Sequence, residues 1–149
     1  MSGAISRRAN ASWQGTVEGG GGRLGLGSQA YEGPFTLEAR VGNVDRATNP
    51  EELIGAASAG CFTMSLADLL SNAGSPPSDL QTTARVRLEQ TDAGFRITRI
   101  ALQTTGTVPG VDPDQFAQLA EQAKATCPVS LALAVTEITL EATLVETAV

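Results

Sequence analysis

The sequence predicts an α+β fold: strands, one long helix, a strand hairpin, two shorter helices and a last strand follow one another along 149 residues. Three observations lead to this class. Short runs of alternating apolar and polar residues indicate strands, and one long apolar run that opens on Asn49-Pro50 indicates a helix. A hydrophobic fraction of 42% supplies a core. We expect antiparallel sheets and a single domain over residues 1–149.

The first third of the chain predicts three strands. Ser12 to Val17 and Leu24 to Leu26 form the arms of a hairpin around the glycine-rich run 18–27. That run lacks the G-K-[ST] of a P-loop and the flanking strand and helix of a dinucleotide fingerprint, so we interpret it as a flexible turn. Phe35 to Val41 alternates apolar and polar residues, which predicts a half-buried strand with Arg40 on its polar face.

A long helix is predicted from Asn49 to about Asn72. Asn49 is a good N-cap, Pro50 suits the first helical position, and Gly74 marks the end. The stretch from Leu53 to Ala67 has no polar stripe, and a helix that is apolar on all sides is buried on all sides. A small sheet covers only one side, so we expect a homodimer that shares these helices. The alternative is a monomer whose second helix covers the first.

The remaining elements follow from turn and cap residues. Thr82 to Glu89 and Phe95 to Thr105 predict an antiparallel hairpin. A second helix is expected to open near Asp112-Pro113 and to run to about Ala125. Cys127-Pro128 then begins a third, short helix to about Ala134, and residues 136–146 form the last strand.

Composition argues against several kinds of partner. The net charge is −6 with a single lysine, so no basic surface for nucleic acid is expected. The amino terminus lacks the apolar segment of a signal peptide. The longest uncharged helical stretch, Leu53 to Ala67, is 15 residues, whereas a bilayer requires about 20. We therefore expect a cytoplasmic protein without a membrane partner.

The chain contains no histidine and two cysteines, Cys61 and Cys127. Ser-His-Asp and Cys-His catalysis are thereby excluded within the chain, and a zinc site lacks enough ligands. No metal or other cofactor is expected. Cysteines in a cytosolic protein are often buried as small hydrophobic residues, but a pair can also cycle through a transient disulfide. Cys127 lies at a predicted helix start, where free N–H groups favour a thiolate. The residues alone leave both readings open.

Four motifs together resemble the OsmC/Ohr family of organic hydroperoxide reductases, and the OsmC branch more than the Ohr branch. They are Asn-Pro-Glu-Glu-Leu-Ile at 49–54, Gly-Cys-Phe at 60–62, Val-Pro-Gly-Val-Asp at 108–112 and Cys-Pro-Val-Ser at 127–130. The similarity extends from about Trp13 to Leu144. It implies antiparallel sheets wrapped around long buried central helices in an interwoven homodimer.

The resemblance also implies a mechanism. Cys61 would be the peroxidatic cysteine, which attacks an alkyl hydroperoxide, releases the alcohol and becomes a sulfenic acid. Cys127 would then form a disulfide with Cys61, and a small or protein-bound dithiol would reduce it. A second thiol nearby protects the first from further oxidation.

The family uses an arginine to hold the thiolate and a glutamate to orient that arginine. The glutamate maps onto Glu51. The arginine maps onto Arg40 by the OsmC pattern, which we favour, or onto Arg23 by the Ohr pattern. Glu51 and Cys61 are ten residues apart on the predicted helix, which corresponds to about 15 Å and to different faces. They cannot meet within one chain, so the resemblance implies active sites that draw on both chains of the dimer.

Leu53, Phe62 and Met64 are candidates for the walls of an aliphatic substrate pocket. Ser58 and Gly60 depart from the family, which often has histidine and alanine at these positions. Two other functions remain open at this point. One is a general thiol-disulfide oxidoreductase, although the chain lacks a C-x-x-C motif. The other is a non-enzymatic binding or structural dimer with inert core cysteines.

Overall fold

The computed structural model describes residues 3–43 and 45–146, and the chain forms two compact units, Met1–Leu53 and Ile54–Val149. The first unit contains strands β1–β3 and helix α1, with bounds Ala9–Gln14, Gly21–Leu26, Glu32–Phe35 and Leu37–Val41. The unit boundary falls within helix α2, Pro50–Asn72. The second unit continues with β4, β5, α3, α4 and β6, with bounds Asp79–Thr91, Gly94–Thr107, Pro113–Thr126, Pro128–Ala132 and Glu137–Leu144. The α+β class is confirmed, whereas the single domain stays a prediction.

The first sheet has the strand order β1-β2-β3, and both pairs are antiparallel. The predicted hairpin is therefore confirmed, but the interpretation of the whole run 18–27 as a flexible turn is wrong, because residues 21–26 form strand β2 and pair with β1. Gly22 is opposite Trp13 on one side and Phe35 on the other, and the two aromatic rings contact each other edge-on with centroids 5.2 Å apart. A side chain at Gly22 would collide with both rings and with the Ser12 carbonyl, so the aromatic pair requires this glycine.

The strand predicted from Phe35 to Val41 is wrong. Phe35 ends β3, and residues 37–41 form the short helix α1. The physical reason is the cap: the Thr36 side chain accepts a hydrogen bond from the Ala39 backbone N–H at 3.0 Å, which closes the first helical turn. Arg40 therefore lies in the last turn of a helix and not on the polar face of a strand.

Helix α2 begins and ends where the sequence predicts. The Asn49 side chain accepts a hydrogen bond from the Glu52 N–H at 2.8 Å, as an N-cap does. After Asn72 the chain turns at Gly74, whose φ of +88° is favourable for glycine.

By length and composition α2 could cross a bilayer, because it has 23 residues and a mean hydropathy of 1.5 over its most apolar window. The sequence-based count of 15 uncharged residues therefore understates its apolar length, since charged residues occur only near its ends. The core helix of a water-soluble protein passes the same test. Phe62, Leu66 and Leu70 of α2 are fully buried in the core of the second unit, but only 28% of the most apolar window of α2 is buried.

The second sheet has the strand order β4-β5-β6. The β4–β5 pair is the predicted antiparallel hairpin, with Gly94 at a φ of +100° where β5 begins. Strand β6 pairs with β5 in parallel, so the expectation of antiparallel sheets is wrong for this pair. Helices α3 and α4 form the crossover that returns the chain to the same end of the sheet, as a parallel connection requires.

The core of the second unit lies between α2, α3 and the second sheet. Besides the three α2 side chains, it contains Leu102 and Val108 together with Phe116, Ala120 and Ala123 of α3. Another stripe of α2 is apolar and exposed; it consists of Ala56, Ala57, Gly60 and Met64, the last with 77% of its surface exposed. The chain by itself thus covers only part of the apolar helix.

Gly22→Ala is expected to lower the free energy of unfolding by about 2 kcal/mol or more, because overpacking at a backbone carbonyl and two aromatic rings cannot relax easily. Chemical denaturation followed by circular dichroism measures this change. Gly25→Ala on the same strand is the matched control, since its new methyl group would meet only the Glu32 Cγ, at 3.7 Å. Equal effects of the two substitutions would contradict the proposed role of Gly22.

Candidate active site

Cys61 and Cys127 lie side by side in the second unit, although the sequence separates them widely. Cys61 is half-buried in the middle of α2, and Cys127 is completely buried immediately before α4. Cys127 and the backbone N–H of Val129 are both near enough to the Cys61 thiol to shift its pKa. Both cysteines are free thiols. The two sulfurs that the sequence singled out are therefore neighbours.

Cys127 is held by contacts at both ends of the turn between α3 and α4. Its backbone N–H donates to the Ala123 carbonyl at 3.0 Å and ends α3. Its Sγ accepts a hydrogen bond from the Ser130 N–H at 3.3 Å, which makes Cys127 the N-cap of α4. The thiol donates in turn to the Ser130 Oγ at 3.0 Å. The predicted N–H contact to this sulfur is thus present.

The surroundings of Cys61 disfavour its thiolate. Burial raises the pKa of the Cys61 thiol above its ordinary value, and Cys127 raises it further, while the Val129 N–H acts in the opposite direction. No cation in the described residues of the second unit contributes to this pKa. A reactive thiolate at Cys61 therefore needs a positive charge from elsewhere.

Arg40 and Glu51 form a bidentate ion pair in the first unit. The Arg40 Nε lies 3.0 and 3.1 Å from the two Glu51 carboxylate oxygens, and the Nη2 lies 2.6 Å from Oε1. The hydrogen bond with Glu51 raises the pKa of Arg40. The Glu51 side chain is only 8% exposed, whereas that of Arg40 is 37% exposed. The guanidinium is thus fixed from one side and accessible from the other.

Asn49 fastens the two helices that carry this ion pair. Its side-chain N–H donates to the Ala39 carbonyl at 2.9 Å, while its Oδ1 accepts from the Glu52 N–H. The hydrogen bond to Ala39 joins α1 to the start of α2, and it thereby keeps Arg40 of α1 opposite Glu51 of α2. The sequence predicted the cap, but it gave no signal for the second hydrogen bond, because that bond depends on α1.

Arg23, the alternative to Arg40, has a different partner. Its Nε lies 3.1 Å from a Glu32 carboxylate oxygen, and these side chains are 56% and 66% exposed. The structure therefore does not bring Arg23 to Glu51. It brings Arg40 to Glu51, as the preferred interpretation of the sequence expects.

A cavity of about 210 Å³ lies against Arg40 in the first unit. Its walls are mostly apolar and consist of Trp13, Val17, Phe35, Thr36, Leu37 and Pro50 in addition to Arg40. None of the three predicted pocket residues lines it. Phe62 belongs to the core of the second unit, Met64 is exposed, and Leu53 is half-buried. The single tryptophan, Trp13, is the feature of the sequence that could have predicted this cavity. It pairs with Gly22 in the hairpin and lines the cavity.

Ser58 lies in α2 one helical turn before Cys61 and is completely buried. Within the described residues its hydroxyl has no hydrogen-bond partner, which is costly for a buried polar group. The described residues contain no group of three or more His, Cys, Asp or Glu side chains that could hold a metal ion.

An α+β chain with two neighbouring free cysteines in its second unit and a bidentate arginine–glutamate pair in its first unit has the features of a thiol-based redox protein. A family model described as OsmC-like protein matches residues 42–143. The chain belongs to this family. It is 43% identical over 138 residues to Peroxiredoxin OsmC of Escherichia coli (strain K12), which covers 92% of this chain and 95% of the relative.

A second relative, from the Ohr branch, agrees with the family. The Organic hydroperoxide resistance protein OhrA of Bacillus subtilis is 32% identical over 95 residues, 62% of this chain and 64% of that protein. The predicted membership of the OsmC/Ohr family is thereby confirmed, and the identity is higher with the OsmC relative.

Solved structures agree on the fold. An organic hydroperoxide resistance protein OsmC from Legionella pneumophila has a TM-score of 0.76 at 22% identity, over 95% of this chain and 98% of the other. An organic hydroperoxide resistance protein from Elizabethkingia anophelis has a TM-score of 0.75 at 23% identity, over 99% and 100%. At these identities the likeness confirms the OsmC fold alone.

Cys127→Ala is expected to lower the pKa of Cys61, because it removes the second contribution to the raised pKa and leaves burial in place. The pKa is measured from the pH dependence of alkylation, with mass spectrometry assigning the adduct to Cys61. Cys127→Ser, which keeps a hydrogen-bonding group, is the control and should give a smaller shift. A pKa of Cys61 that is unchanged in Cys127→Ala would contradict the contact between the two thiols.

Proposed function

We propose that this protein is a thiol peroxidase that reduces organic hydroperoxides to alcohols in defence against oxidative or osmotic stress. The observation that carries the proposal is the proximity of Cys61 and Cys127, two free thiols of which the first is half-buried and the second buried. The names of the relatives, peroxiredoxin and organic hydroperoxide resistance protein, support it.

The chemistry has three steps. The Cys61 thiolate attacks the distal oxygen of the hydroperoxide, the O–O bond breaks, and the alkoxide takes a proton to leave as the alcohol. Cys61 is left as a sulfenic acid. The Cys127 sulfur then attacks the Cys61 sulfur, so that water leaves and a disulfide forms. A dithiol finally reduces the disulfide by thiol-disulfide exchange and is itself oxidised.

The cation that Cys61 lacks is Arg40 of a partner chain in this proposal. Glu51 and Cys61 are ten residues apart in the sequence of α2, which corresponds to about 15 Å along a helix. A homodimer would supply the missing charge, and it would cover the exposed apolar stripe of α2, Ala56, Ala57, Gly60 and Met64. Glu51 would orient the guanidinium, as its bidentate contact allows.

The cavity beside Arg40 supports an organic substrate. Its aromatic and aliphatic walls suit an alkyl or aryl group, and the guanidinium can donate to the peroxide oxygens. Hydrogen peroxide offers no apolar group to these walls, so a bulky hydroperoxide is the expected substrate. Whether Leu53, Phe62 and Met64 contribute to the pocket stays a prediction.

The cytoplasm is the proposed compartment, because its reducing environment can reopen a catalytic disulfide. A general thiol-disulfide oxidoreductase is the second candidate. The buried position of Cys127 counts against it, since protein disulfides need access to an exposed thiolate.

Arg40→Ala is expected to lower kcat/KM for cumene hydroperoxide by about 10²–10³-fold, the typical effect of removing a preorganised electrostatic contact. It should also raise the pH at which Cys61 is alkylated, since the thiolate loses its cation. The assay follows peroxide consumption with dithiothreitol as reductant, and hydrogen peroxide is compared as a second substrate. Circular dichroism checks that the variant folds.

Arg23→Ala is the matched control and should retain wild-type activity, because its only described ion pair is with exposed Glu32. Equal losses in the two variants would contradict the assignment to Arg40. Wild-type protein that turns over disulfides but no organic hydroperoxide would favour the oxidoreductase instead.

A further inference from the structure

Ser130 contacts the sulfur of Cys127 in two ways. Its backbone N–H donates to the Cys127 Sγ at 3.3 Å, and its Oγ accepts the thiol hydrogen of Cys127 at 3.0 Å. Ser130 is 5% exposed and Cys127 is fully buried, so bulk water has little access to this contact. The Val129 N–H, one residue earlier, lies against the Cys61 thiol. The start of α4 therefore faces both sulfurs.

Disulfide formation requires a proton to move within this site. When Cys127 attacks the sulfenic acid of Cys61, an S–S bond forms and the S–O bond breaks. The departing oxygen leaves with the bonding electron pair and must gain a proton to become water, while the Cys127 thiol must lose one. The chain has no histidine to carry that proton.

We propose that Ser130 is a catalytic residue of this resolving step, in which its hydroxyl relays the proton. The Ser130 Oγ accepts the hydrogen of the Cys127 thiol, and the hydroxyl passes its own hydrogen to the oxygen that leaves Cys61. A hydroxyl can accept and donate at the same time, so the relay leaves Ser130 unchanged. No buried thiolate has to form as a free intermediate, which avoids the cost of burying an unpaired charge. The inference rests on the proposed peroxidase function.

The hydrogen bond to Ser130 also engages the S–H of Cys127, so that a sulfur lone pair is left to attack Cys61. The backbone N–H of Ser130 holds the sulfur in place independently of the hydroxyl. A substitution of the side chain can therefore remove the relay without removing this anchor.

The test is a single-turnover experiment with the full-length protein and one equivalent of cumene hydroperoxide, without reductant. Wild type, Ser130→Ala and Ser130→Thr are compared. Peroxide loss reports the first step, and acid quenching with mass spectrometry reports the Cys61–Cys127 disulfide. Dimedone trapping reports sulfenic acid at Cys61.

Ser130→Ala is expected to consume peroxide at the wild-type rate but to form the disulfide about 10²-fold more slowly, the typical effect of losing an acid–base group. Sulfenic acid should accumulate at Cys61. Ser130→Thr, which keeps the hydroxyl, should restore disulfide formation. Wild-type disulfide formation should also slow in heavy water while peroxide consumption does not, and this readout does not depend on any variant folding.

A wild-type rate of disulfide formation in Ser130→Ala would overturn the relay, and so would the lack of a solvent isotope effect on the second step. These outcomes leave the peroxidase function intact, because the first step still proceeds. If wild-type protein consumes no peroxide, the proposed function fails and the relay fails with it.

Discussion

The proximity of Cys61 to Cys127 is the feature on which the proposed chemistry of this protein depends. One sulfur is fixed by the long helix α2, and the other by a turn that leaves little freedom. Cys127 ends α3 through its N–H and begins α4 through its Sγ. Pro128 prevents α3 from continuing and keeps Cys127 in an extended conformation, with φ −65° and ψ 137°. The backbone conformation and hydrogen bonds of this turn thus hold the Cys127 thiol beside that of Cys61.

This arrangement has an electrostatic cost. Burial and the neighbouring thiol both raise the pKa of Cys61. The higher pKa protects the resting thiol from oxidation, but it also lowers the fraction of the nucleophilic thiolate. In the proposed function, the charge that restores reactivity comes from the Arg40–Glu51 pair of a partner chain. Asn49 holds that pair by joining α1 to the helix start. In the proposed homodimer, the need for this charge and the exposed apolar stripe of α2 would both favour association of two chains.

The sequence correctly predicted the elements whose first and last residues are set by capping and turn residues. Asn49-Pro50 and Asp112-Pro113 begin α2 and α3 as expected. The first hairpin was also predicted, but residues 21–26 of the glycine-rich run form strand β2 and not a turn. The strand at 35–41 was wrong because a single cap at Thr36 outweighed a short alternating pattern. The parallel β6 was missed because alternation fixes the faces of a strand but not its direction. It was the crossover through α3 and α4 that set the direction.

The site was only partly predictable from the residues. Spacing alone could not show that Cys61 and Cys127 meet, since tertiary packing brings them together, and the family resemblance supplied that expectation. The same resemblance pointed to Glu51 with Arg40, and the ion pair is present. The cavity was not found, because Trp13, Phe35 and Arg40 come from three elements and meet only once Gly22 lets the aromatic rings approach.

The most direct test of the central claim is a count of free thiols in native protein after one equivalent of cumene hydroperoxide, for wild type, Cys61→Ser and Cys127→Ser. We expect wild type to lose both thiols as the peroxide is consumed, with peptide mapping showing a Cys61–Cys127 disulfide. Cys61→Ser should keep its remaining thiol and leave the peroxide intact, whereas Cys127→Ser should be oxidised at Cys61. If wild type keeps both thiols while the peroxide persists, the cysteine pair is structural and the peroxidase account is contradicted.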